Sequence, residues 1–379
     1  MTVRCPRILL LSAYRSDSHA SWADWLQRNL AADWRVLELP GRYFRWRIRG
    51  NPLSWRVELK ALLQEWQPDR LLATSMVDLA TLKGLLPELA NIPCSYYFHE
   101  NQFAYPLGEG QHSSIDPQMV QLYGALAADE LLFNSRFNQQ SFLAGLAALL
   151  KKLPDFVPPE VTNELAAKSS WLPVVVESND FIPLSFKNAY AEAPLILWSH
   201  RWEYDKCPER FLELLQQLQA VGQPFQLALL GPRAAKTPAV LQQIREQFAD
   251  QIVVDGKVSR ADYWLWLERA DIAVSTACHE FQGLSMLEAA AMGCLPLVPD
   301  DLCYQEQYPL LCRYPAGDSR AAAESLQKLL QVRQQGGAEW EMLQHWQQHE
   351  LPVWLSSTNA SASVESAEQR WQHWLAFKC

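Results

Sequence analysis

Glu280 and Glu288 close the stretch Glu280-Phe281-Gln282-Gly283-Leu284-Ser285-Met286-Leu287-Glu288. The apolar run Ile272 to Ser275 just ahead of it reads as a strand, Gly283 as the point where a helix can begin. Glu288 then falls about one turn inside that helix. This spacing sets a flexible carboxylate beside a helix N-terminus, whose free N–H groups and positive dipole end bind phosphate well. The second carboxylate is fixed one turn away, at about the reach of a ribose diol. A phosphate site between two hydroxyl-binding carboxylates suits a sugar nucleotide. Acidic residues around a helix start also favour the macrodipole with no ligand present, so the surrounding residues have to decide.

Three neighbouring patterns bear on that choice. His200-Arg201-Trp202-Glu203-Tyr204-Asp205-Lys206 follows an apolar strand candidate and precedes a helix beginning near Pro208. Arg201 and Lys206 emerge where the strand ends, and two fixed cations there can neutralise a diphosphate leaving group; the plainer reading is a solvated loop. His99-Glu100-Asn101-Gln102 ends the buried-looking strand Ser95 to Phe98, and a polar cluster at a strand's carboxyl end is a poor core and a plausible site. Finally, Arg42-Tyr43-Phe44-Arg45-Trp46-Arg47-Ile48-Arg49 with Trp55-Arg56 sets five arginines among aromatic residues within fifteen positions of an otherwise acidic chain. Arginines meet phosphates while rings stack on unpaired bases, at about 1–3 kcal/mol per base. Two other readings stay open: an arginine-rich surface loop, and attachment to anionic lipid, helped by the apolar Phe142 to Lys152 segment.

Several chemistries lose their support. Phe103 and Gly283 stand where HExxH would need its second histidine, so a zinc protease is excluded; Walker A, GxGxxG and GxSxG motifs are absent. There is no Asp-x-Asp, which turns the expectation towards a diphosphate held by Arg, Lys and a helix end, with no metal or cofactor. The eight cysteines include no CxxC pair and suggest thiols in a reducing compartment. A net charge of −9 argues against a surface that coats nucleic acid or anionic membrane throughout, while leaving room for a local basic patch. No stretch approaches the ~20 apolar residues of a spanning helix, and the expected location is the cytosol.

The elements that must position these residues alternate as strand and helix, twice over. Strand candidates in the first half are Ile8–Ala13, Trp34–Leu39, Leu71–Thr74, Ser95–His99, Leu131–Asn134 and Trp171–Val176, with helices over His19–Leu30, Trp55–Trp66, Gln118–Ala127 and Phe137–Leu150. The second half restarts at Leu195–His200 and continues through Phe225–Leu230, Ile252–Val254, Asp271–Thr276 and Leu295–Val298. Its helices are Pro208–Leu218, Pro238–Phe248, Arg260–Arg269 and Leu284–Met292. At 379 residues, such a pattern implies two βα domains with parallel sheets, divided here as 1–180 and 194–365 around a polar linker at 181–193. An amphipathic last helix within 366–379 is expected to pack back on the first domain. In open parallel sheets ligands sit at the carboxyl ends of strands, which points to the loops after Ala13, His99, His200 and Thr276.

From Trp198-Ser199-His200-Arg201-Trp202 through Lys206 to Glu280-x7-Glu288 and Gly293-Cys294-Leu295-Pro296, the second half resembles family 4 of the GT-B glycosyltransferases. Tyr97-Phe98-His99-Glu100-Asn101-Gln102 with Tyr105-Pro106, Phe133-Asn134-Ser135-x-Phe137-Asn138, Arg45-Trp46-Arg47, His279-Glu280-Phe281 and Pro299-Asp300-Asp301-Leu302 resemble the tRNA-queuosine mannosyltransferases, over roughly Ile8 to Pro309. The resemblance implies an α/β GT-B fold of two Rossmann-like domains facing across a cleft. It also implies retaining transfer of mannose from GDP-mannose to the cyclopentenediol of queuosine in the anticodon of an aspartate tRNA. Glu280 would then contact the donor sugar and Glu288 the ribose, with Arg201, Lys206 and the Gly283-Leu284-Ser285 helix start on the diphosphate. His99 would orient sugar or acceptor, and His19, Glu100, Asn101, Gln102, Arg42, Arg45, Trp46, Arg47 and Arg49 would serve the acceptor RNA. Where the family has Gly-Gly-Ser-His, this chain has Ser16-Asp17-Ser18-His19. The rival readings are a glycosyltransferase of the same fold with a lipid-linked or small-molecule acceptor, and an RNA-binding protein without turnover.

Overall fold

The computed structural model describes residues 5–105, 114–177, 181–185, 193–232, 239–356 and 364–376. Its contacts divide the chain into two units, Met1–Val175 with Arg370–Cys379, and Val176–Gln369. In the first unit β1 (Arg7–Arg15), β2 (Asp33–Pro40), β3 (Arg70–Thr74), β4 (Cys94–Phe98), β5 (Glu130–Phe133) and β6 (Ser169–Trp171) form one parallel sheet in the order β2-β1-β3-β4-β5-β6. Leu10 of β1 lies opposite Val36 on one side and Leu72 on the other. Every residue of β3 and β4 is buried, the pattern of a parallel strand covered by helices on both faces. Leu9, Leu11, Leu71, Ala73, Tyr96 and Phe98 share a core with Trp55, Leu59 and Phe142 from the helices.

The second unit repeats the plan. Here β7 (Leu195–Ser199), β8 (Gln226–Leu230), β9 (Ile252–Gly256), β10 (Ile272–Val274), β11 (Leu295–Pro299) and β12 (Arg313–Tyr314) are ordered β12-β11-β10-β7-β8-β9, all parallel. The chain moves outward from β7 to β9, then returns to place β10 against the other side of β7. That reversal is the topological switch point where open parallel sheets bind ligands. It brings the loops after β7 and β10 side by side, and these carry Lys206 and Glu280.

Some elements depart from the expected boundaries. The second helix runs Phe44–Glu65, so the arginine–aromatic segment is helical from Phe44 on, not only from Trp55. Gly50-Asn51-Pro52 should break it, since Pro52 has no N–H for the carbonyl of Ile48. Asn51 repairs the gap: its Nδ2 donates to Ile48 O at 3.3 Å and Arg47 O at 2.7 Å, and its Oδ1 accepts from Asp78 N at 3.1 Å. The strand expected over Trp171–Val176 ends at Trp171, and Val176 makes only a lone bridge to Leu355. Within the polar run read as a linker, Ile182 N donates to Ala291 O and Leu184 N to Gln347 Oε1, so 182–184 are laid onto the second unit. Residues 186–192, like Pro106, Pro238 and Phe377, lie outside the described residues.

The last helix, Ala367–Ala376, buries Trp371 and Trp374 in the first unit. The indole N–H of Trp371 donates to Pro173 O at 2.8 Å, and that of Trp374 to Glu130 Oε2 at 3.2 Å. Among the described residues no helix is long and apolar enough to cross a membrane.

Candidate functional site

Lys206 is held almost entirely inside the second unit. A short turn, Tyr204–Lys206, follows β7, and Cys207 takes a left-handed conformation that starts the Pro208–Ala220 helix. The buried ammonium donates to Glu280 Oε2 at 3.0 Å and His279 O at 3.0 Å, with Asp205 Oδ2 at 3.2 Å. Burial pulls the lysine towards deprotonation, yet Glu280 and Asp205 raise its pKa overall. Burial alone would likewise lift Glu280, but Lys206 and the Gly283 N–H hold it down, to about 2. The site is therefore charged across the neutral range, with the lysine as its cation and Glu280 as its anion.

Gly283 is the hinge of this arrangement. Its φ of 63° is costly for a side-chain-bearing residue, and a Cβ there would lie 2.8 Å from the Tyr304 ring. The helix Leu284–Ala291 starts immediately after it, so the first free N–H groups, those of Leu284 and Ser285, stand beside Glu280. Glu288, one turn in, accepts from Tyr263 Oη at 2.7 Å and from Arg260 Nη2 at 3.0 Å. Arg201 sits at the half-exposed rim, 2.9 Å from Glu203 and 3.9 Å from Asp205.

The polar cluster of the first unit is built differently. His99 follows β4 and packs its ring against His19 (4.1 Å between centroids), Trp22 (4.6 Å) and Tyr97 (4.7 Å), with Trp22 and Tyr97 also meeting Trp371. Burial, and then the neighbouring His19, push the His99 pKa well below the usual imidazole value. Burial takes His19 to about 4, and its Nδ1 lies 2.6 Å from Ser16 Oγ. Both rings are neutral at pH 7. His99 Nε2 is buried with no hydrogen-bond partner among the described residues.

The other expected acceptor residues fall into two groups. Asn101 is fully buried: its Nδ2 donates to Asn138 Oδ1 and Ser141 Oγ, and its Oδ1 accepts the N–H groups of Phe103 and Ala104. Its amide is taken up within the turn. Gln102 and Glu100 are linked at 3.3 Å and tied to the Asp116–Ala127 helix through Gln121. Arg42 is exposed just ahead of the Phe44–Glu65 helix, and Arg45, Trp46 and Arg49 are exposed on its first turns; Arg47 is half-buried and donates to Pro40 O at 3.3 Å, and Arg49 pairs with the buried Asp78 at 2.9 Å.

Residues 7–176 match the family described as tRNA-queuosine alpha-mannosyltransferase N-terminal, and residues 184–332 match glycosyl transferases group 1. A tRNA-queuosine alpha-mannosyltransferase of Drosophila melanogaster is 32% identical over 317 residues, covering 82% of this chain and 83% of the fly protein. The chain belongs to the tRNA-queuosine alpha-mannosyltransferase family. Solved structures share the fold: a glycosyltransferase from Rickettsia africae has a TM-score of 0.66 at 14% identity, covering 99% of this chain and 98% of its own. A lipopolysaccharide outer core galactosyltransferase has a TM-score of 0.64 at 10% identity, over 98% and 99%. The two parallel sheets are thus the two Rossmann-like halves of a GT-B glycosyltransferase.

Within this family member, several groups escape a reading of the sequence. Asp205 braces Lys206, while Tyr263 and Arg260 hold Glu288 from a helix that lies twenty-odd residues earlier. Nothing at Tyr263 itself signals this; the Ser259 cap on Asp262 N shows only where its helix begins. The pairing exists because the fold sets Arg260–Arg269 beside Leu284–Ala291.

Proposed function

We propose that the protein transfers mannose, with retention, from GDP-mannose to the cyclopentenediol of queuosine in the anticodon of an aspartate tRNA. The observation that carries the donor half is the pair of buried Lys206 and half-buried Glu280 beside the Gly283 helix start, at the switch point of the second sheet. Glu280 has one oxygen tied to Lys206 and faces a site where a hexose hydroxyl can be accepted. Lys206, Arg201 and the N–H groups of Leu284 and Ser285 meet the diphosphate as its charge grows, a preorganised field that needs no reorganisation at the moment of reaction. Glu288, steadied by Tyr263 and Arg260, takes the ribose hydroxyls. The reading needs no metal ion.

Transfer with retention can proceed on one face of the sugar. The acceptor hydroxyl attacks the anomeric carbon as the bond to the GDP oxygen breaks, and its proton passes to that departing phosphate oxygen. No protein base is then required, which agrees with neutral, aromatic-boxed His99 and His19: they orient a hydroxyl and do not hold a charge. The acceptor RNA is met by the first unit, through Glu100, Gln102 and the arginine-rich helix start. The location that fits this reading is the cytosol.

The test is labelled-mannose incorporation into queuosine-containing tRNA and into queuosine-free tRNA, from GDP-mannose and from UDP- and ADP-hexoses in parallel. Incorporation is expected only with GDP-mannose and queuosine. Transfer in the absence of RNA would move the acceptor to a lipid-linked or small molecule. RNA binding with no transfer from any donor would leave a binding protein on a glycosyltransferase fold.

A further inference from the structure

The outward face of the Phe44–Glu65 helix is unusual for a solvent-exposed surface. Its broad apolar side, Ile48, Trp55, Leu59 and Leu63, is already buried in the first unit. Yet diametrically opposite, at helical spacing, stand Trp46 (51% exposed), Leu53 (64%) and Val57 (83%), with Tyr43 (70%) just before the helix. Alongside this ridge, on one flank, run the exposed Arg45, Arg49, Arg56 and Lys60. From Trp46 to Lys60 the double row extends roughly 20 Å along the axis.

Gly50 explains how the ridge is shaped. A Cβ at Gly50 would lie 2.5 Å from the Trp46 indole, so the ring lies down on the helix over the glycine with its other face to solvent. A mid-helix glycine costs about 1 kcal/mol relative to alanine, and it is retained here at the spot that seats an exposed indole. The helix start has no acidic residue in its first turn, so its dipole adds to the arginines.

We infer that this ridge is a docking surface for an unpaired stretch of RNA, with bases stacked on Trp46 and against Leu53 and Val57, and the sugar-phosphate backbone along Arg45, Arg49, Arg56 and Lys60. The inference deepens the proposed function, on which it rests, by extending the RNA contact along the helix to Lys60. Charge decides the class of partner: in a chain of net charge −9, this cationic row complements a polyanion. Geometry decides against a bilayer, because an interfacial helix inserts its broad apolar face, and here that face is already in the core. The aromatic platform selects unpaired bases, since a paired stem hides their faces.

The test is tRNA affinity across a salt series for the wild type, Trp46→Ala, the triple variant Arg45→Gln/Arg56→Gln/Lys60→Gln, and a control, Lys151→Gln/Lys152→Gln, with melting temperature as the fold check. Trp46→Ala is expected to weaken binding about tenfold at every salt concentration. The triple variant should lose affinity and flatten the log–log salt slope by about 2, while the control shifts neither. Wild-type transfer to queuosine tRNA together with unchanged binding by both ridge variants overturns the docking surface alone. No tRNA binding or transfer by the wild type overturns the proposed function with it. Variants that lose affinity for phosphatidylserine vesicles but not for tRNA would show a lipid face, and the proposal would be wrong.

Discussion

At the carboxyl edge of the second sheet a buried Lys206 is held as a cation against the half-buried Glu280 and the buried Asp205, whereas at the corresponding edge of the first sheet the buried His19 and half-buried His99 are neutral rings. Both edges are ends of parallel strands under helices, so the backbone does not account for the difference. Partners do. Lys206 finds two carboxylates and a carbonyl, enough to outweigh desolvation; His99 finds an imidazole and two aromatic faces, which offer a cation no hydrogen-bonded anion. The ionic edge suits a substrate whose charge grows during reaction, and the neutral edge suits one whose hydroxyls need only to be oriented.

The comparison breaks most readily at Lys206. Lys206→Met leaves the buried Asp205 and half-buried Glu280 without their cation, and the expected loss of unfolding free energy is about 3 kcal/mol, read from urea denaturation. A loss below about 1 kcal/mol would mean that the pair is solvated and the contrast false.

A smaller effect sharpens the ionic side. Tyr263→Phe removes one hydrogen bond to Glu288 and leaves Arg260 in place. Hydrogen bonds to charged groups are worth about 1.5–3 kcal/mol, so KM for GDP-mannose should rise about tenfold with kcat little altered. A fall in kcat at unchanged KM would place Tyr263 in the chemical step.

The neutral side is read by pH. His19 has a folded pKa of about 4, below its ordinary 6.5, so the unfolded chain binds a proton that the folded chain refuses. Stability from this ring is complete above pH 6.5 and is lost as pH falls towards about 4, by about 3 kcal/mol in all. Buried His200, also at about 4, adds in the same direction. The urea midpoint should fall across that window, and less steeply in His19→Gln; an identical slope would show a solvated ring.

Much of the ionic edge was legible beforehand because its parts are local. Strand β7 is a run of apolar residues, Gly283 marks a helix start, and Glu280, Glu288, Arg201 and Lys206 stand at fixed distances from those marks. What could not be read depends on contacts between distant segments. Tyr263 reaches Glu288 only after two helices pack, and Asn51 carries a helix past Pro52 only because Met76 and Asp78 lie beside it. Asn101 shows the same dependence: a polar residue at a strand's end can face a ligand or knit a turn, and its bonds to Asn138 and Ser141, nearly forty residues on, form only in the fold. His99 and His19 could be located, but not their neutrality, which burial in the folded unit imposes.

The central claim is that the charged edge of the second sheet holds the donor diphosphate, and Arg201 tests it with least disturbance. Its side chain is half-exposed at the rim, so Arg201→Ala should leave the melting temperature unchanged. Steady-state turnover with GDP-mannose and queuosine-containing tRNA should then fall by about 10²–10³, the usual cost of losing one donor to a developing negative charge. A folded Arg201→Ala protein with near-normal turnover would contradict the claim.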